Sequence, residues 1–261
     1  MTRPLEGMLV ISVEQAIAAP LCSCRLADAG ARVIKIGRPE GDFARGYDRA
    51  ARSQSSYFVW LNRGKESVVL DFKKPDDHAL LARLISRADV LVQNLMPRAM
   101  TRAGFDLEAL SAPQRTGAGA LIRVSLFDAT AEWMAVPLIH LDYGRAPTRM
   151  GLAHPSVAPY GVFATADGKE ILIAIQNERE WRRFCAEILG ERLKSVGIAF
   201  GNFNTVEDFS HHPHLRRIAV DTPEGPVRLL AAPAVFEEHR PSGRVPALGA
   251  HTATIRAEFP K

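Results

Sequence analysis

Residues 8–36 read MLVISVEQAIAAPLCSCRLADAGARVIKI, and this stretch predicts a strand, a helix and a second strand. The apolar runs Met8–Val13 and Arg32–Ile36 have the length and composition of buried strands. Pro20 suits the first turn of the helix between them because its missing N–H would be unpaired there anyway. Gly30 suits the end of that helix because glycine adopts positive φ without strain. The stretch therefore predicts a β-α-β unit.

Residues 67–94 repeat this pattern with a second set of elements. Ser67–Phe72 predicts a strand, Asp76–Arg87 predicts a helix opened by Pro75, and Ala88–Asn94 predicts another strand. Alternating strands and helices with short connections indicate a parallel sheet covered by helices on both faces. The N-terminal half is therefore predicted to be an α/β domain.

A long connection separates the two units. Residues 37–66 are rich in Gly, Arg and Asp, and connections longer than about 15 residues are uncommon unless they have a function. The segment is either a ligand-binding loop or a surface insertion packed by its own aromatic residues Tyr57, Phe58 and Trp60.

The C-terminal half predicts a smaller α+β domain. Leu121–Leu126 is expected to be a strand and Phe127–Leu141 an apolar helix. Residues 158–176 contain two β-rich runs joined by Asp-Gly, which predicts a hairpin because this dipeptide accepts positive φ. Glu178–Leu189 then predicts a helix.

The composition is that of an ordinary soluble domain. Apolar residues make up 47% and charged residues 24% of the 261 residues, which argues against disordered and fibrous chains. The net charge of +4 is scattered along the chain, so no nucleic-acid partner is expected. No apolar window approaches the ~18 residues that a membrane-spanning helix needs, so no membrane partner is expected either.

The cysteines favour a reducing environment. Cys22, Cys24 and Cys185 are odd in number and lack the spacing of metal ligands, so a cytoplasmic location is expected. Cys22 and Cys24 are better interpreted as small residues of a helix than as a redox pair. The apolar N-terminal stretch is too short for a signal sequence.

Seven blocks of sequence, in a fixed order, extend over nearly the whole chain. They are PLEGMLVISVEQAIAAP (4–20), LADAGARVIKIGRPEGD (26–42), NRGKESVVLD (62–71), ADVLVQNLMPRAMTRAGF (88–105), RTGAGALIRVSLFDA (115–129), HPSVAPYGVFATADGKEILIAIQNEREWRRFCAEILG (154–190) and GPVRLLAAPAVF (225–236), followed by VPALGAHT (245–252). Together they resemble the family III CoA-transferases, also called the CaiB/BaiF family.

This resemblance implies a Rossmann-like large domain over residues 1–145, a small domain over 146–215 and a C-terminal return to the large domain over 216–261. Two chains are expected to interlock as a homodimer. The implied reaction moves CoA from an acyl-CoA to a small carboxylate, such as the dicarboxylates succinate, mesaconate or itaconate. CoA is a substrate in this chemistry, and neither a permanently bound cofactor nor a metal is expected.

The resemblance also implies which residues contact CoA: Gln15, Ala16, Ala18, Arg38, Leu70, Lys73, Asn94 and Arg102. Independent physical reasoning supports the charged members of this set. Arg38 follows a predicted parallel strand, where ligands lodge in open α/β sheets, and arginine forms bidentate contacts with phosphate. Solvated surface charge is the alternative for each basic residue, and for Lys73, beside Lys74, it is equally favoured.

The family's nucleophile has no counterpart in this sequence. The resemblance implies an Asp carboxylate that attacks the thioester and carries the acyl group and then CoA covalently. Here Phe105 is followed almost directly by the RTGAG block at Arg115, and the segment that should contain this Asp is absent. A second shortening follows Leu189-Gly190. Both reflect either a natural deletion or a sequence that joins separate segments of a longer chain, so the catalytic residue stays unassigned.

Three other groups of polar residues have a structural and a functional interpretation. Asp128 is interpreted as a helix N-cap rather than as a replacement nucleophile. His211, His212 and His214 are interpreted as surface residues rather than metal ligands, because no carboxylate or Cys lies at ligand spacing. Two residues of the long connection form either a substrate contact or an ion pair within the loop, namely Asp42 and Arg45.

Two alternatives to transferase activity remain open. One is an α-methylacyl-CoA racemase-like enzyme of the same family, which moves an α-proton with His and carboxylate acid-base pairs. The other is a catalytically inactive CoA-binding or dimerisation module, which the missing Asp favours.

Overall fold

The computed structural model describes residues 3–105, 120–187, 200–202, 205–234 and 243–260. The chain forms two compact units, one of residues 1–121 with 216–261 and the other of residues 122–215. The predicted domain division at residues 145 and 215 stays a prediction.

A four-stranded sheet lies at the centre of the first unit. Its strand order is β3-β2-β1-β4, and every neighbouring pair is parallel. The strands are β1 (Leu9–Val13), β2 (Arg32–Gly37), β3 (Lys65–Val69) and β4 (Val90–Gln93). The predicted α/β fold with a parallel sheet is therefore confirmed.

Three helices and one 3₁₀ helix connect these strands: α1 (Ala18–Asp28), the 3₁₀ helix (Phe43–Gly46), α2 (Ser56–Leu61) and α3 (Pro75–Arg87). A short helix, α4 (Ala99–Arg102), follows β4. Helix α1 ends as predicted, with Gly30 at φ 104°. Ala31 N donates to Leu26 O at 3.0 Å, and this contact closes the last turn of α1. Helix α2 and the 3₁₀ helix, both in the long connection, were not predicted from the sequence.

The two faces of the sheet differ in character. Toward α3, apolar side chains of the strands pack with Leu80, Leu81 and Leu84 into the main core. Toward α1, Val10 and Val33 pack with Ala27, but the same face becomes polar nearer the carboxyl ends of the strands. Strands buried on both faces were predicted to be apolar throughout, and this polar half of one face was not expected.

Strand β3 is displaced from its predicted position. The sequence predicts Ser67–Phe72, whereas the strand runs from Lys65 to Val69. It pairs with β2 from Val33 to Gly37, so it ends where its partner ends. The charged residue at its start is buried because it has a carboxylate partner, which local sequence patterns do not reveal.

The second unit combines helices with a small antiparallel sheet. Its elements are α5 (Leu126–Trp133), α6 (Ala135–Tyr143), β5 (Tyr160–Ala164), β6 (Glu170–Ala174), α7 (Glu178–Glu187), β7 (Phe200–Asn202) and α8 (Val206–Ser210). The sheet order is β5-β6-β7, with Ile175, Ile171, Ile173 and Phe184 forming a small apolar cluster. The predicted hairpin is confirmed, and Gly168 in its turn has φ 79°.

Two predictions in this unit were wrong or only partly right. Leu121–Leu126 is not a strand, because residues 120–125 pair with none of the described strands and α5 begins at Leu126. The single helix predicted over Phe127–Leu141 is divided at Met134 into α5 and α6. Pro137 explains the division, because it cannot donate the backbone hydrogen bond that a continuous helix requires. The last two residues of the helix predicted over Glu178–Leu189 lie outside the described part of the chain.

The C-terminal segment returns to the first unit and covers the free edge of β3. A hairpin of β8 (Arg217–Val220) and β9 (Val227–Leu230) precedes α9 (Thr252–Glu258). Ser67 N donates to His251 Nδ1 and Val69 N donates to Thr252 Oγ1, both at 3.0 Å. These contacts satisfy donors of β3 that no neighbouring strand pairs. None of the helices that the structure describes combines the length and apolar character that a membrane crossing requires.

Candidate functional site

The carboxyl ends of the four parallel strands meet at one edge of the sheet, and the predicted CoA contacts follow these ends. Gln15 and Ala16 follow β1, and Arg38 follows β2. Lys73 comes four residues after β3, and Asn94 follows β4 directly. Because adjacent parallel strands end at the same edge, this edge is where an open α/β sheet binds its ligands.

Two of the predicted residues bind each other directly. Gln15 N donates to Asn94 Oδ1 at 2.9 Å, and Asn94 Nδ2 donates to Gln15 O at 2.7 Å. The side-chain amide of Asn94 thus extends the pairing of β1 with β4 by one more pair of hydrogen bonds. These two hydrogen bonds fix the loop after β1 to the end of β4.

The next residue of that loop has an unusual backbone conformation. Ala16 has φ 61°, in the left-handed region, which costs a residue with a Cβ roughly 1–2 kcal/mol. Its amide donates to Asp42 Oδ1 at 3.3 Å, and the same oxygen accepts from Ala44 N at 3.0 Å. The loop between β1 and α1 is therefore held from a second side by the connection that follows β2.

Asp42 belongs to a network of buried charges between the sheet and α1. Lys35 Nζ donates to Asp42 Oδ2 and to Asn62 Oδ1, both at 2.8 Å. Lys65 Nζ donates to Glu14 Oε1 at 2.6 Å, and both side chains are fully buried. Lys35 Nζ lies 3.7 Å from Glu14 Oε1, which joins the two pairs. Two lysines and two carboxylates thus balance one another in charge.

The electrostatics of the network favour ionised carboxylates. Burial raises the pKa of Glu14, but the charges of Lys65 and Lys35 outweigh it, so this pKa lies below its ordinary value of 4.5. Burial also raises the pKa of Asp42, yet Lys35 and the amides of Ala44 and Ala16 bring it below 3.8. Both carboxylates therefore act as hydrogen-bond acceptors at neutral pH.

The remaining predicted CoA contacts are exposed to solvent, except for one whose side chain is buried. Arg38 is exposed, and its Nε donates to Gly41 O at 2.8 Å. Lys73 and Arg102 are exposed as well, which suits contact with an anion. Ala18 is the exposed first residue of α1. The side chain of Leu70 is 2% exposed and lies in the main core, so any contact it makes with a ligand comes from its backbone.

The sequence left Asp42 and Arg45 as a substrate contact or a loop ion pair. The ion pair of Asp42 is with Lys35 rather than with Arg45. The Arg45 guanidinium lies 3.7 Å from the centre of the Phe58 ring. Within the described residues, Arg45 Nε is buried without a hydrogen-bond partner, so a contact of Arg45 with substrate stays a prediction.

Other polar residues singled out from the sequence lie in the second unit. The interpretation of Asp128 as the N-cap of α5 was wrong, because Ser125 occupies that position and its hydroxyl accepts from Asp128 N. The rings of His212 and His214 lie 5.6 Å apart. In the part of the chain that the structure describes, no group of His, Cys, Asp and Glu is arranged to hold a metal ion.

Sequence reasoning missed the buried network. Glu14, Lys35 and Lys65 stand in or beside apolar strands, and a charge inside such a strand is the signal that could have found them. Their pairing depends on the order of the strands, which the sequence did not predict.

Comparison with known proteins connects this arrangement to a family. The family model described as CoA-transferase family III matches residues 5–113 and 106–195. The two matched ranges overlap at residues 106–113. Residues 106–119 lie outside the described part of the chain.

Several curated relatives are CoA-transferases by name. Acetyl-CoA:oxalate CoA-transferase of Acetobacter aceti is 29% identical over 72% of this chain and 67% of its own length. Succinate–glutarate CoA-transferase of Agrobacterium fabrum is 29% identical over 72% of this chain and 66% of its own length. Succinyl-CoA:mesaconate CoA-transferase of Haloarcula hispanica is 24% identical over 69% of this chain and 66% of its own length. The chain thus spans about two thirds of the length of these relatives.

Solved structures share the fold. A CAIB/BAIF family protein from Brucella suis has a TM-score of 0.77 at 23% identity, with all of both chains covered. Rv3272 from Mycobacterium tuberculosis has a TM-score of 0.68 at 19% identity, covering 97% of this chain and 99% of its own. Since the family model matches well over half of the sequence, this chain belongs to CoA-transferase family III.

Proposed function

We propose that this chain binds acyl-CoA at the carboxyl edge of its parallel sheet and transfers the CoA to a carboxylate acceptor. The observation that carries the proposal is the loop after β1, whose backbone is held at Gln15 by Asn94 and at Ala16 by Asp42. A loop held in one conformation at this edge can present backbone groups to an extended ligand at little cost in conformational entropy.

The cationic side chains at the same edge suit the phosphates of CoA. Arg38 and Lys73 follow β2 and β3, and Arg102 ends α4, which follows β4. All three are exposed, so binding an anion does not require breaking a buried ion pair. In the proposed complex they neutralise phosphate, while Gln15, Ala16, Ala18, Leu70 and Asn94 contact the rest of the molecule.

The acceptor is proposed to be a small dicarboxylate. The names of the relatives described above include four dicarboxylates: oxalate, succinate, glutarate and mesaconate. The second carboxylate of such an acceptor needs a fixed cation or donor. Arg45, whose Nε has no hydrogen-bond partner among the described residues, is the donor proposed for it.

The covalent step needs a nucleophile outside the buried network. Glu14 and Asp42 are each held by a lysine and are buried, so neither is placed to attack a thioester. This sequence has no match for the family's Asp, so the group that carries the acyl intermediate is unassigned. That gap is the observation that favours the second candidate function, CoA binding without transfer.

An exchange assay separates these functions. The protein is incubated with succinyl-CoA and a labelled dicarboxylate, and both the CoA product and any hydroxylamine-sensitive adduct are measured. CoA transfer supports the proposal. Tight CoA binding without exchange or adduct would support the inactive module instead. Solvent deuterium at the α-carbon of a 2-methylacyl-CoA, without exchange, would favour a racemase.

The homodimer and the cytoplasmic location also remain proposals. Helices α5 and α6 contain no buried residue, and their large apolar side chains are half to nearly fully exposed, including Phe127, Trp133, Leu138 and Leu141. An exposed apolar surface of this kind is typical of a protein interface, and a second copy of this chain is its proposed partner. Cys22, Cys24 and Cys185 are all free, which suits a reducing compartment.

A further inference from the structure

A single carboxylate connects two loops at the proposed CoA site. Asp42 Oδ1 accepts from the amides of Ala16 and Ala44, and Asp42 Oδ2 accepts from Lys35 Nζ. The first amide belongs to the loop after β1, and the second belongs to the 3₁₀ helix in the connection after β2. Any movement of Asp42 therefore changes the relation between these two loops.

The rest of the network keeps Asp42 in place. Its side chain is 3% exposed, and Lys35 is fixed in turn by Asn62 and by the nearby Glu14. Glu14 is itself held by Lys65 and by Ser23 Oγ, which donates to Glu14 Oε2 at 2.5 Å. The network thus runs from β3 and α1 to one end point, the Ala16 amide.

This end point is where the backbone is strained. A left-handed alanine persists only when surrounding contacts hold it, and such conformations cluster at ligand-binding sites. A buried ion pair by itself is weak support for stability, because well-packed apolar residues often replace it without loss. Because Asp42 also accepts from the amides of Ala16 and Ala44, its ion pair with Lys35 can fix the backbone of both loops.

We propose that Asp42, fixed by Lys35, is a positioning residue that holds the Ala16 backbone in its left-handed conformation for acyl-CoA. The inference rests on the proposed function, because it assigns CoA as the ligand of this loop. The Asp42 side chain is 3% exposed, so the proposed role does not require it to contact the ligand. Its effect passes through the Ala16 amide.

Two double variants isolate this role. Lys35→Met/Asp42→Asn removes both buried charges but keeps a side-chain oxygen that accepts from Ala16 and Ala44. Lys35→Met/Asp42→Ala removes the same charges and that oxygen. Because the two proteins have the same net charge and share the Met at position 35, they differ mainly in whether the loop amides keep their acceptor.

Three measurements are made on each protein. Hydrogen exchange of the segment 15–18 is followed without ligand, the dissociation constant of CoA is measured by calorimetry, and KM and kcat for acyl-CoA are measured in the exchange assay. The Ala variant is expected to exchange faster in this segment and to bind CoA about tenfold more weakly than the Asn variant, with KM for acyl-CoA rising more than kcat falls.

A matched control removes a different buried ion pair. Arg63 Nη2 lies 2.6 Å from Asp28 Oδ2, and both side chains are buried at the far end of α1. Arg63→Met/Asp28→Asn is expected to lower stability while leaving exchange in the segment 15–18 unchanged.

The outcomes separate the inference from the function on which it rests. Equal exchange and equal CoA affinity in the Asn and Ala variants would overturn the positioning role, even if both proteins were less stable. Failure of the unaltered protein to bind CoA would overturn the proposed function, and the ligand assigned to the loop with it. Faster exchange and weaker CoA binding in the Ala variant alone would support the inference.

Discussion

Asn94 and Gln15 exchange two hydrogen bonds, one to each backbone group of Gln15. The last paired residues of the two strands are Val13 and Gln93, so the Asn94 side chain continues the ladder beyond the point where the backbones separate. An amide is suited to this position because it supplies one acceptor and one donor. A carboxylate or an amine supplies only one of the two.

Replacing Asn94 is expected to weaken CoA binding. Asn94→Ala removes both contacts with Gln15, and Asn94→Asp keeps the acceptor but places a negative charge against the Gln15 carbonyl. The variants are expected to raise the dissociation constant of CoA about five- to thirtyfold, since each lost hydrogen bond of this kind contributes about 1 kcal/mol and one or two are lost. Calorimetric titration with CoA checks this. Unchanged affinity in both variants would show that the Gln15 backbone does not contribute to the site.

Arg38 is expected to contribute through its charge. Arg38→Ala should weaken CoA binding at low salt, and the difference from the unaltered protein should shrink as added salt screens the remaining charges. Arg38→Lys should recover part of the affinity, because lysine keeps the charge but loses the bidentate geometry.

The control for Arg38 is another exposed arginine on the opposite edge of the sheet. Arg87 lies in the last turn of α3, just before β4 begins. Arg87→Ala has the same change in net charge and is expected to leave CoA affinity unchanged. An equal loss in both variants would mean that only the overall charge of the protein matters.

The apolar surface of α5 and α6 gives a prediction about assembly. Leu138 and Leu141 are 54% and 56% exposed, so replacing them costs little within the chain. Leu138→Gln/Leu141→Gln is expected to shift a homodimer toward monomer in sedimentation experiments. Val206→Gln is the control, because Val206 is 86% exposed but lies on α8, outside the proposed surface of α5 and α6. A monomeric unaltered protein would contradict the proposed interface.

The strands of the parallel sheet could be predicted because each is a short apolar run bounded by turn residues. Strand β3 was misplaced, since its first residue, Lys65, is buried only through its contact with Glu14. Leu121–Leu126 has the same apolar character but pairs with no strand in the part of the chain that the structure describes, and a local pattern does not reveal whether a partner exists. The division of the next helix was visible in the sequence as Pro137.

The positions of the candidate ligand-binding residues could be predicted from the sequence, but the buried ion pairs beneath them could not. The position of Arg38 and Asn94 after strands follows from the order of elements along the chain. The pairing of Glu14 with Lys65, and its link to Lys35, depend on β1, β2 and β3 being neighbours. Glu14 and Lys65 are 51 residues apart in sequence, so a charge inside an apolar strand signals that a partner exists but does not identify it.

The buried pair of Arg63 and Asp28 predicts an asymmetry between single and double variants. Arg63→Met leaves Asp28 with only the partly exposed Arg25 as a cation, and is expected to reduce the free energy of unfolding by about 3 kcal/mol, the low end for breaking a buried ion pair. Arg63→Met/Asp28→Asn removes both charges and should be more stable than the single variant. Urea unfolding followed by circular dichroism measures both. Equal losses would show that the effect comes from packing of the Arg63 side chain.

The pH dependence of stability follows from the lowered pKa values of Glu14 and Asp42. In the unfolded chain these carboxyls take up protons near their ordinary pKa values of 4.5 and 3.8, whereas in the folded protein they do so at lower pH. The unfolded state therefore binds more protons in acid, so the free energy of unfolding falls as the pH drops below about 4.5.

Urea unfolding at pH 7, 5, 4 and 3 tests this origin by comparing the unaltered protein with Lys35→Met/Asp42→Asn. The variant lacks the Asp42 carboxyl, and its Glu14 has lost the nearby charge of Lys35, so its stability should fall less between pH 5 and 3. Asp48, whose pKa is lowered to about 2 by hydrogen bonds from Ala50 and Ser56, is unchanged in both proteins and cancels in the comparison. If the free energy of unfolding falls equally with pH in both proteins, the acid sensitivity arises outside the network. The lowered pKa of Asp42 would then contribute nothing measurable to stability.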